Sequence, residues 1–181
     1  MNRQEELIAM CRRGDATAYT ELYNEHSLAV YNTIIRLVKH TAEAEDVLQE
    51  SFVAAFQRID QFKFTGGFRA WIKRIAINKS VDLIRKRKIS FVELEPEWLP
   101  NQEDEQTDET AFQFTMDAVA DAIDALPVTY RTIFNLYVVE NIPQAEIAQM
   151  LGLENTTVRT QYHRAKQKIL TTLTKGGYNE K

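Results

Sequence analysis

The stretch from Phe68 to Lys88 constrains the fold most, because it carries apolar residues on two sides of one helix. At about 100° per residue, one side holds Phe68, Ile72, Ile75 and Ala76, and the opposite side holds Ala70, Ile77, Val81 and Ile84. A helix with two apolar stripes is expected to lie between other helices and not on the surface of a bundle. Strand patterns are almost absent from the rest of the chain, so the sequence predicts an all-α fold.

A third stripe of the same helix carries residues suited to a nucleic-acid strand. It consists of Trp71, Arg74, Asn78, Asp82 and Arg85. Bases of an unstacked strand stack on aromatic rings while the backbone follows positive charge, and an amide can bind a base edge. A plainer interpretation stays open at this point, in which Trp71 fills the core and the charged flanks are only solvated.

The charge of the chain is segregated along its length. The net charge is −4, but residues 1–92 carry +4, residues 93–125 carry −11 without any Lys or Arg, and residues 126–181 carry +3. Two basic modules separated by an acidic segment are compatible with nucleic-acid binding, although the whole chain is mildly acidic.

Helical periodicity fails between Ile89 and Thr110, where Pro96, Pro100 and a run of acidic residues predict a linker. We therefore predict two helical modules joined by a flexible acidic linker. The N-terminal helical domain covers residues 1–90, the linker residues 91–110 and the C-terminal domain residues 111–175.

In the N-terminal domain, the pattern predicts helices over about Gln4–Arg12, Asp15–Lys39 and Ala42–Asp60, with Asp15 and Thr41 as N-caps. The third helix buries Leu48, Phe52, Ala55, Phe56 and Ile59. Its opposite face, which includes Asp46, Gln49 and Glu50, is either a solvated surface or a protein-docking face.

A loop with Gly66 and Gly67 separates this helix from the one that begins at Phe68. Phe62 and Phe64 flank this loop or lie in it. They either close over the core or help to hold a flipped-out base beside Trp71.

In the C-terminal domain, a helix near Ala111–Ala125 precedes three helices over residues 128–173, with Pro127 predicted at a first helical position. Ala148, Gly152 and Val158 have the spacing of a helix-turn-helix, with Pro143 at the start of its first helix. Val158, Tyr162, Ala165 and Ile169 face inward. The outward residues Arg159, Thr160, His163, Arg164 and Gln167 suit the major groove, because no acid interrupts residues 156–168.

Several function classes are disfavoured by the composition. No apolar run approaches the ~20 residues that span a bilayer, and the N-terminus lacks a signal-peptide core. Cys11 is the single cysteine, so neither a disulfide framework nor a thiolate metal site is expected. His26, His40 and His163 lack partners at metal-ligand or catalytic spacing. We expect no metal, no cofactor, no catalytic residues and, by default, a cytoplasmic location.

Both modules together resemble an alternative sigma factor of bacterial RNA polymerase, of the extracytoplasmic-function type. The N-terminal motifs are Gly14-Asp15, Ala44-Glu45-Asp46-Val47-Leu48-Gln49-Glu50, Asp60-Gln61-Phe62, Phe68-Arg69-Ala70-Trp71-Ile72 and Arg74-Ile75-Ala76 with Asn78, Asp82 and Arg85. The C-terminal motifs are Leu126-Pro127, Glu146-Ile147-Ala148, Leu151-Gly152, Thr157-Val158-Arg159 and Arg164-Ala165-Lys166.

The resemblance implies a division of labour. The first module would bind core RNA polymerase through Asp46, Gln49 and Glu50, and would melt and read the minus-ten promoter element. The residues implied for that element are Phe62, Phe64, Trp71, Arg74, Asn78 and Arg85. The second module would read the minus-thirty-five element as a duplex, through Arg159, Thr160, His163, Arg164 and Gln167.

Because the sequence ends soon after the last predicted helix, we expect no sensory domain, and the resemblance then implies control by an external anti-sigma factor. One alternative is a helix-turn-helix regulator that binds DNA without polymerase, which leaves the Trp71 stripe without a role. A carboxylate-metal hydrolase using Glu45, Asp46 and Glu50 lacks histidine partners and a nucleophile. A helical interaction module without nucleic acid leaves the charge segregation unexplained.

Overall fold

The computed structural model describes residues 3–63, 66–87 and 114–175, and within these ranges the chain forms helices and no β-strand. The all-α prediction is therefore confirmed. The chain divides into two compact units, Met1–Lys88 and Ile89–Lys181. The predicted acidic linker and the predicted helix start at Ala111 lie outside the described residues.

The described part of the N-terminal unit contains α1 Arg3–Arg12, α2 Ala16–Val38, α3 Thr41–Gln57, a 3-10 turn Ile59–Gln61 and α4 Gly67–Lys86. Asp15 caps α2 as predicted, because its carboxylate accepts hydrogen bonds from the N–H groups of Thr17 and Ala18 at 2.8 and 3.1 Å. The predicted cap of α3 is wrong by one residue. His40 has the extended backbone of a cap, and its Nδ1 accepts from the Glu43 N–H at 3.5 Å.

α4 packs against both α2 and α3, as expected of a helix inside a bundle. Its buried residues are Phe68, Ile72, Ala76, Ile77, Ser80, Val81 and Ile84. Ser80 joins the two predicted stripes into one wide face, because its hydroxyl donates to the Ala76 carbonyl at 2.8 Å and is thereby satisfied. Ala70 is exposed. The prediction of two separate, opposite stripes was therefore wrong in detail.

Phe68 lies at the centre of an aromatic cluster at the start of α4 and is fully buried. Its ring centroid is 5.3 Å from that of His26, 5.9 Å from Phe62 and 5.8 Å from Trp71. Burial of a phenylalanine side chain contributes about 1.5–3 kcal/mol, and aromatic pairs at such separations add about 0.5–1.5 kcal/mol each. The cluster thus fixes the start of α4 against α2 and the 3-10 turn.

Arg87 fixes the other end of α4. Its guanidinium donates to the Val38 carbonyl at 3.1 Å and also pairs with the Glu43 carboxylate. The Arg87 side chain therefore links the end of α4 to both the end of α2 and the start of α3. With both ends held, α4 has a defined register along its whole length.

The described part of the C-terminal unit contains α5 Met116–Asp124, α6 Val128–Phe134, α7 Gln144–Leu151 and α8 Asn155–Lys175. α6 continues into a π-helical turn, Asn135–Val139, which the sequence did not predict. Pro127 is the N-cap of α6 and not its first helical residue. α8 packs against α5, α6 and α7, and forms the spine of the unit.

His26 is a buried polar residue on α2 with no compensating hydrogen bond. Its side chain is 3% exposed, and neither ring nitrogen has a hydrogen-bond partner in the described part of the chain. Burial lowers the pKa of His26 below its ordinary value. The Glu25 carboxylate, 3.8 Å from Nε2, opposes this shift, and Arg69 adds to it. The folded unit therefore favours the neutral imidazole over the charged one.

We expect the N-terminal unit to lose stability as the pH falls below about 6.5, the ordinary histidine pKa, because the unfolded chain then binds a proton at this histidine more readily than the folded chain does. Above that pH the contribution is fully present. Urea unfolding, followed by Trp71 fluorescence in a Trp98→Phe background, measures this between about pH 7.5 and about pH 5.5.

The variant His26→Leu should flatten this pH dependence, whereas His163→Gln, in the other unit, should leave it unchanged. If His26→Leu lost stability over the same range as strongly as the parent, other groups would govern the acid sensitivity.

Candidate nucleic-acid and polymerase interfaces

The side of α4 opposite its buried face carries the polar stripe predicted from the sequence. Asn78, Asp82 and Arg85 are exposed, and Trp71 and Arg74 are half-buried. Partial burial lowers the pKa of the Arg74 guanidinium, which nevertheless stays charged at neutral pH. The stripe therefore presents an aromatic ring, an amide and two guanidinium groups along one line of a rigid helix.

Trp71 joins the core and the surface. Its ring packs on Phe62 and Phe68, with centroid distances of 5.2 and 5.8 Å, and part of the side chain stays exposed. Phe62, in contrast, is only 4% exposed and belongs to the core. This corrects the expectation that Phe62 offers a stacking surface, because an exposed Phe62 ring would give up its contacts with Phe68 and Trp71. Phe64 lies outside the described residues.

A recess of about 350 Å³ opens beside Trp71. Such a volume is at the lower end of the range of ligand pockets, ~300–1,000 Å³. Its lining residues are Gln61, Phe62, Lys63, Gly66, Gly67, Ala70, Trp71 and Arg74. Gly66 and Gly67 have φ of 117° and 79°, values that strongly favour glycine. The described residues of the predicted loop thus form one concave site with Trp71 and Arg74 of the stripe.

A contact that the sequence analysis missed ties this loop to α1. Arg12 Nη2 donates to the Phe62 carbonyl at 2.9 Å, and Arg12 Nε is 4.0 Å from the Asp60 carboxylate. The two hydrogen-bonded residues are 50 positions apart in sequence. No periodicity or motif signals such a pairing, so only the packing of α1 against the 3-10 turn reveals it.

The predicted docking face lies on α3, opposite its buried residues. Asp46, Gln49 and Glu50 are all exposed, and the neighbouring Val53 is 55% exposed. Lys79 of α4 pairs with Glu50 at 3.2 Å, which the sequence analysis did not foresee. An exposed pair of this kind is worth about 0–1 kcal/mol, so it adds little to the fold.

The helix-turn-helix predicted in the C-terminal unit consists of α7 and the first half of α8. Gly152 ends α7 with φ of 67°, and its N–H donates to the Ala148 and Gln149 carbonyls. Val158 is fully buried and Ala148 is 5% exposed, so both anchor residues occupy the predicted inner face. α7 packs against α8 across this turn.

The outward face of α8 carries the predicted duplex-reading residues. Arg159, Thr160, His163 and Gln167 are exposed, and Arg164 is half-buried. The Thr160 hydroxyl donates to the Thr156 carbonyl at 3.0 Å, so it is left as an acceptor toward any ligand.

Two further residues of α8 lie on its inner side. Tyr162 faces inward, where its ring lies 6.2 Å from Phe134 and 4.8 Å from Tyr137. Gln161, which the sequence did not mark as a core residue, is only 4% exposed.

The described residues provide no alternative chemistry at these surfaces. Within residues 3–63, 66–87 and 114–175, no group of histidine, cysteine, aspartate and glutamate could hold a metal ion. Burial, reinforced by Asp15, raises the pKa of the Cys11 thiol to about 11, so the thiolate is scarce at neutral pH. No helix in the described part of the chain is long and apolar enough to cross a membrane.

Comparisons with known families match both units. Sigma-70 region 2 matches residues 22–89, which include α3 and α4, and Sigma-70 region 4 matches residues 116–169, which include the helix-turn-helix. The chain is 28% identical over 179 residues to the extracytoplasmic-function sigma factor SigW of Bacillus subtilis, covering 90% of this chain and 92% of SigW.

The chain belongs to the extracytoplasmic-function sigma factors. A second relative, sigma factor SigE of Mycolicibacterium smegmatis, is 30% identical over 86% of this chain and 63% of its own length. The solved structure of sigma factor RpoE from Bartonella quintana, in complex with the anti-sigma factor NepR, supports the helical fold. It shares 17% identity and a TM-score of 0.53, and the match covers 86% of this chain and 96% of RpoE.

As a sigma factor, the protein directs core RNA polymerase to specific promoters and helps to initiate transcription there by promoter melting. It is a transcription factor and not an enzyme. The alternative of a helix-turn-helix regulator acting without polymerase is not favoured, because region 2 occupies a unit that such a regulator does not need.

Proposed function

We propose that the two units of this sigma factor divide promoter recognition between them. The N-terminal unit binds core polymerase and melts and reads the minus-ten element, and the C-terminal unit reads the minus-thirty-five element as a duplex. The observation that carries this proposal is the order of regions 2 and 4, one on each unit. Run-off transcription with core polymerase tests it: promoter-specific transcripts should appear only when this protein is added.

Polymerase docking is assigned to Asp46, Gln49 and Glu50 on α3. Their exposure leaves them available to a basic partner surface, and Val53 adds an apolar contact at the same face. Glu50 already pairs with Lys79, but an exposed ion pair worth about 0–1 kcal/mol can be exchanged for one with polymerase. We infer that a basic coiled coil of the large polymerase subunit, which the resemblance implies, is that partner.

The variant Asp46→Lys should weaken binding to core polymerase by about tenfold or more, since close charge pairs at interfaces couple by about 1.5–7 kcal/mol. Asp46 is the cleaner site, because it forms no ion pair among the described residues. Fluorescence polarisation with labelled protein measures the affinity, and circular dichroism checks that helix content is retained.

Glu6→Lys, a charge reversal at an exposed position of α1, is the matched control and should bind normally. Unchanged affinity in both Asp46→Lys and Glu50→Lys would remove the α3 face from the interface.

Promoter melting is assigned to the recess beside Trp71 and to the α4 stripe. Holding a base outside the duplex costs a few kcal/mol, whereas stacking on an aromatic ring returns about 1–3 kcal/mol per base. Trp71 offers such a ring, Arg74 and Arg85 offer charge for the strand, and Asn78 offers an amide for a base edge. Phe64 stays in this assignment on its sequence alone, and Phe62 is left out because it is buried.

The variant Asn78→Ala should lose open-complex formation on a duplex promoter, because a base-edge contact worth about 1–3 kcal/mol is removed. On a promoter opened in advance by a mismatched bubble, much of the activity should return, since the cost of unpairing is already met. Permanganate footprinting of unpaired thymines reports the melting directly.

Asn32→Ala, which removes an amide from an exposed position on α2, serves as the control. Duplex opening by Asn78→Ala as efficient as that of the parent would exclude Asn78 from base capture.

Duplex reading is assigned to Arg159, Thr160, His163, Arg164 and Gln167. The resemblance supplies their roles, and the solvent-facing side of α8 supports them. Arginine binds guanine edges with two hydrogen bonds in the major groove, whereas a phosphate contact carries no sequence information. Arg159 is the candidate for a base contact because it is exposed near the start of the helix. Arg164 is half-buried and is the candidate for a phosphate contact.

Arg159→Ala should therefore relax the preference at one base pair by about 1–3 kcal/mol, while Arg164→Ala should weaken all sequences evenly and reduce the salt slope by about one. Holoenzyme binding to a panel of substituted minus-thirty-five duplexes, at several salt concentrations, separates these effects. Lys175→Ala, at the far end of α8, controls for the loss of one positive charge. If neither arginine changed affinity or preference, α8 would not enter the groove.

We also propose that an anti-sigma factor controls this protein in the cytoplasm, where it meets core polymerase. The family resemblance supports this, and RpoE of Bartonella quintana offers an example of a sigma factor bound to an anti-sigma factor.

A further inference from the structure

The contact between α1 and the loop beside Trp71 has no role in the functions described so far. Arg12, in the last turn of α1, donates from Nη2 to the Phe62 carbonyl at 2.9 Å, and its Nε lies 4.0 Å from Asp60 Oδ1. The guanidinium therefore holds a backbone carbonyl and approaches a carboxylate on the short segment that leads into the recess. Its side chain is 33% exposed, while that of Asp60 is 83% exposed.

α1 is a firm anchor for this contact. Leu7, Ile8 and Cys11 are buried in the N-terminal core. The Tyr19 hydroxyl donates to the Cys11 carbonyl at 2.6 Å, one residue before Arg12, and so ties the end of α1 to α2. Because the core residues of α1 and the Tyr19 hydroxyl hold the backbone next to Arg12, its guanidinium can fix the Phe62 carbonyl relative to α1.

The described residues on either side of positions 64 and 65 show why such support matters at Phe62. Phe62 is the last residue held by the 3-10 turn, through its N–H and the Ile59 carbonyl at 3.2 Å. Beyond it, Gly66 and Gly67 take positive φ values at the entrance to α4. Glycine restrains the backbone less than any other residue, so Gly66 and Gly67 supply little restraint of their own, and the hydrogen bond from Arg12 to the Phe62 carbonyl supplies one from α1.

We propose that Arg12 is a positioning residue for base capture: through the Phe62 carbonyl it sets the wall of the recess formed by Gln61, Phe62 and Lys63 against Trp71. This inference rests on the assignment of promoter melting to that recess. Arg12 acts on the strand through the loop, and α1 becomes part of the minus-ten reading apparatus without touching DNA. A guanidinium suits this task because its fork can hold a carbonyl while facing a carboxylate.

The test uses holoenzyme and single-stranded oligonucleotides from a promoter that the parent protein transcribes, with single base substitutions across the minus-ten element. Arg12→Ala should reduce the discrimination between the promoter strand and its substituted versions by about tenfold at one or two positions, which is the loss of about 1.4 kcal/mol. Arg12→Lys, which keeps a cationic donor, should restore part of it. Polymerase affinity should stay at the parent value.

Two matched variants separate positioning from other roles. Arg13→Ala removes the same charge from the adjacent, exposed residue and should keep full discrimination. Val30→Ala removes buried side-chain volume from α2 and leaves both the Arg12 side chain and the Tyr19 contact in place. It should lower thermal stability at least as much as Arg12→Ala yet keep more of the discrimination. Equal losses of discrimination at equal losses of stability would reduce Arg12 to a fold-stabilising residue and overturn the proposal.

The salt dependence of binding distinguishes positioning from a direct phosphate contact. On single strands each released phosphate contact changes the salt slope by about 0.7. The salt slope of single-strand binding by Arg12→Ala should therefore equal that of the parent. A smaller salt slope together with intact discrimination would overturn the proposal. If the parent holoenzyme gave no promoter-specific transcripts, the proposed function would fail first. If the parent holoenzyme gave promoter-specific transcripts but Arg12→Ala kept full discrimination, only the role of Arg12 would be overturned.

Discussion

The N-terminal unit depends on the burial of one wide face of α4 against α2 and α3. Phe68 begins that face and is fully enclosed, and Arg87 closes it at the other end through Val38 and Glu43. A helix held along one side and at both ends cannot rotate. Its remaining side, with Trp71, Asn78 and Arg85, therefore points to solvent in a fixed register, and the core sets where a DNA strand would meet the protein.

The same separation of packing from recognition appears in the C-terminal unit. Val158 and Ala165 are fully buried, whereas Arg159 and His163 on the same helix are exposed. The turn at Gly152 sets the angle between α7 and α8, since a left-handed residue ends α7 abruptly. In both units the apolar side of a helix fixes its orientation, and the polar side is free to vary with the target.

The exposed charges contribute to recognition much more than to the fold. The pairs Arg3–Glu21 and Lys79–Glu50 are at 3.0 and 3.2 Å, but all four side chains keep roughly a third or more of their exposure. Water and salt screen such pairs, so each is worth about 0–1 kcal/mol. A partner can replace them at small cost. Arg12 differs because its contact joins elements far apart in sequence and holds backbone as well as a side chain.

The sequence by itself determined the helical fold class, the helix-turn-helix and the polar stripe of α4. These features follow from periodicity and from local signals such as Asp15 and Gly152, which act within a few residues. Tertiary structure decided which of the candidate aromatic residues is available. From the sequence pattern, Phe62 and Trp71 are equally good candidates for stacking on a base. In the structure, however, Phe62 packs against Trp71 and Phe68 and is buried, so its ring is not available at the surface. The tertiary structure also shows that the two apolar stripes predicted for α4 form one buried face that includes Ser80, and that Arg12 contacts the Phe62 carbonyl. Periodicity describes one helix at a time, whereas burial and distant hydrogen bonds depend on which helices meet.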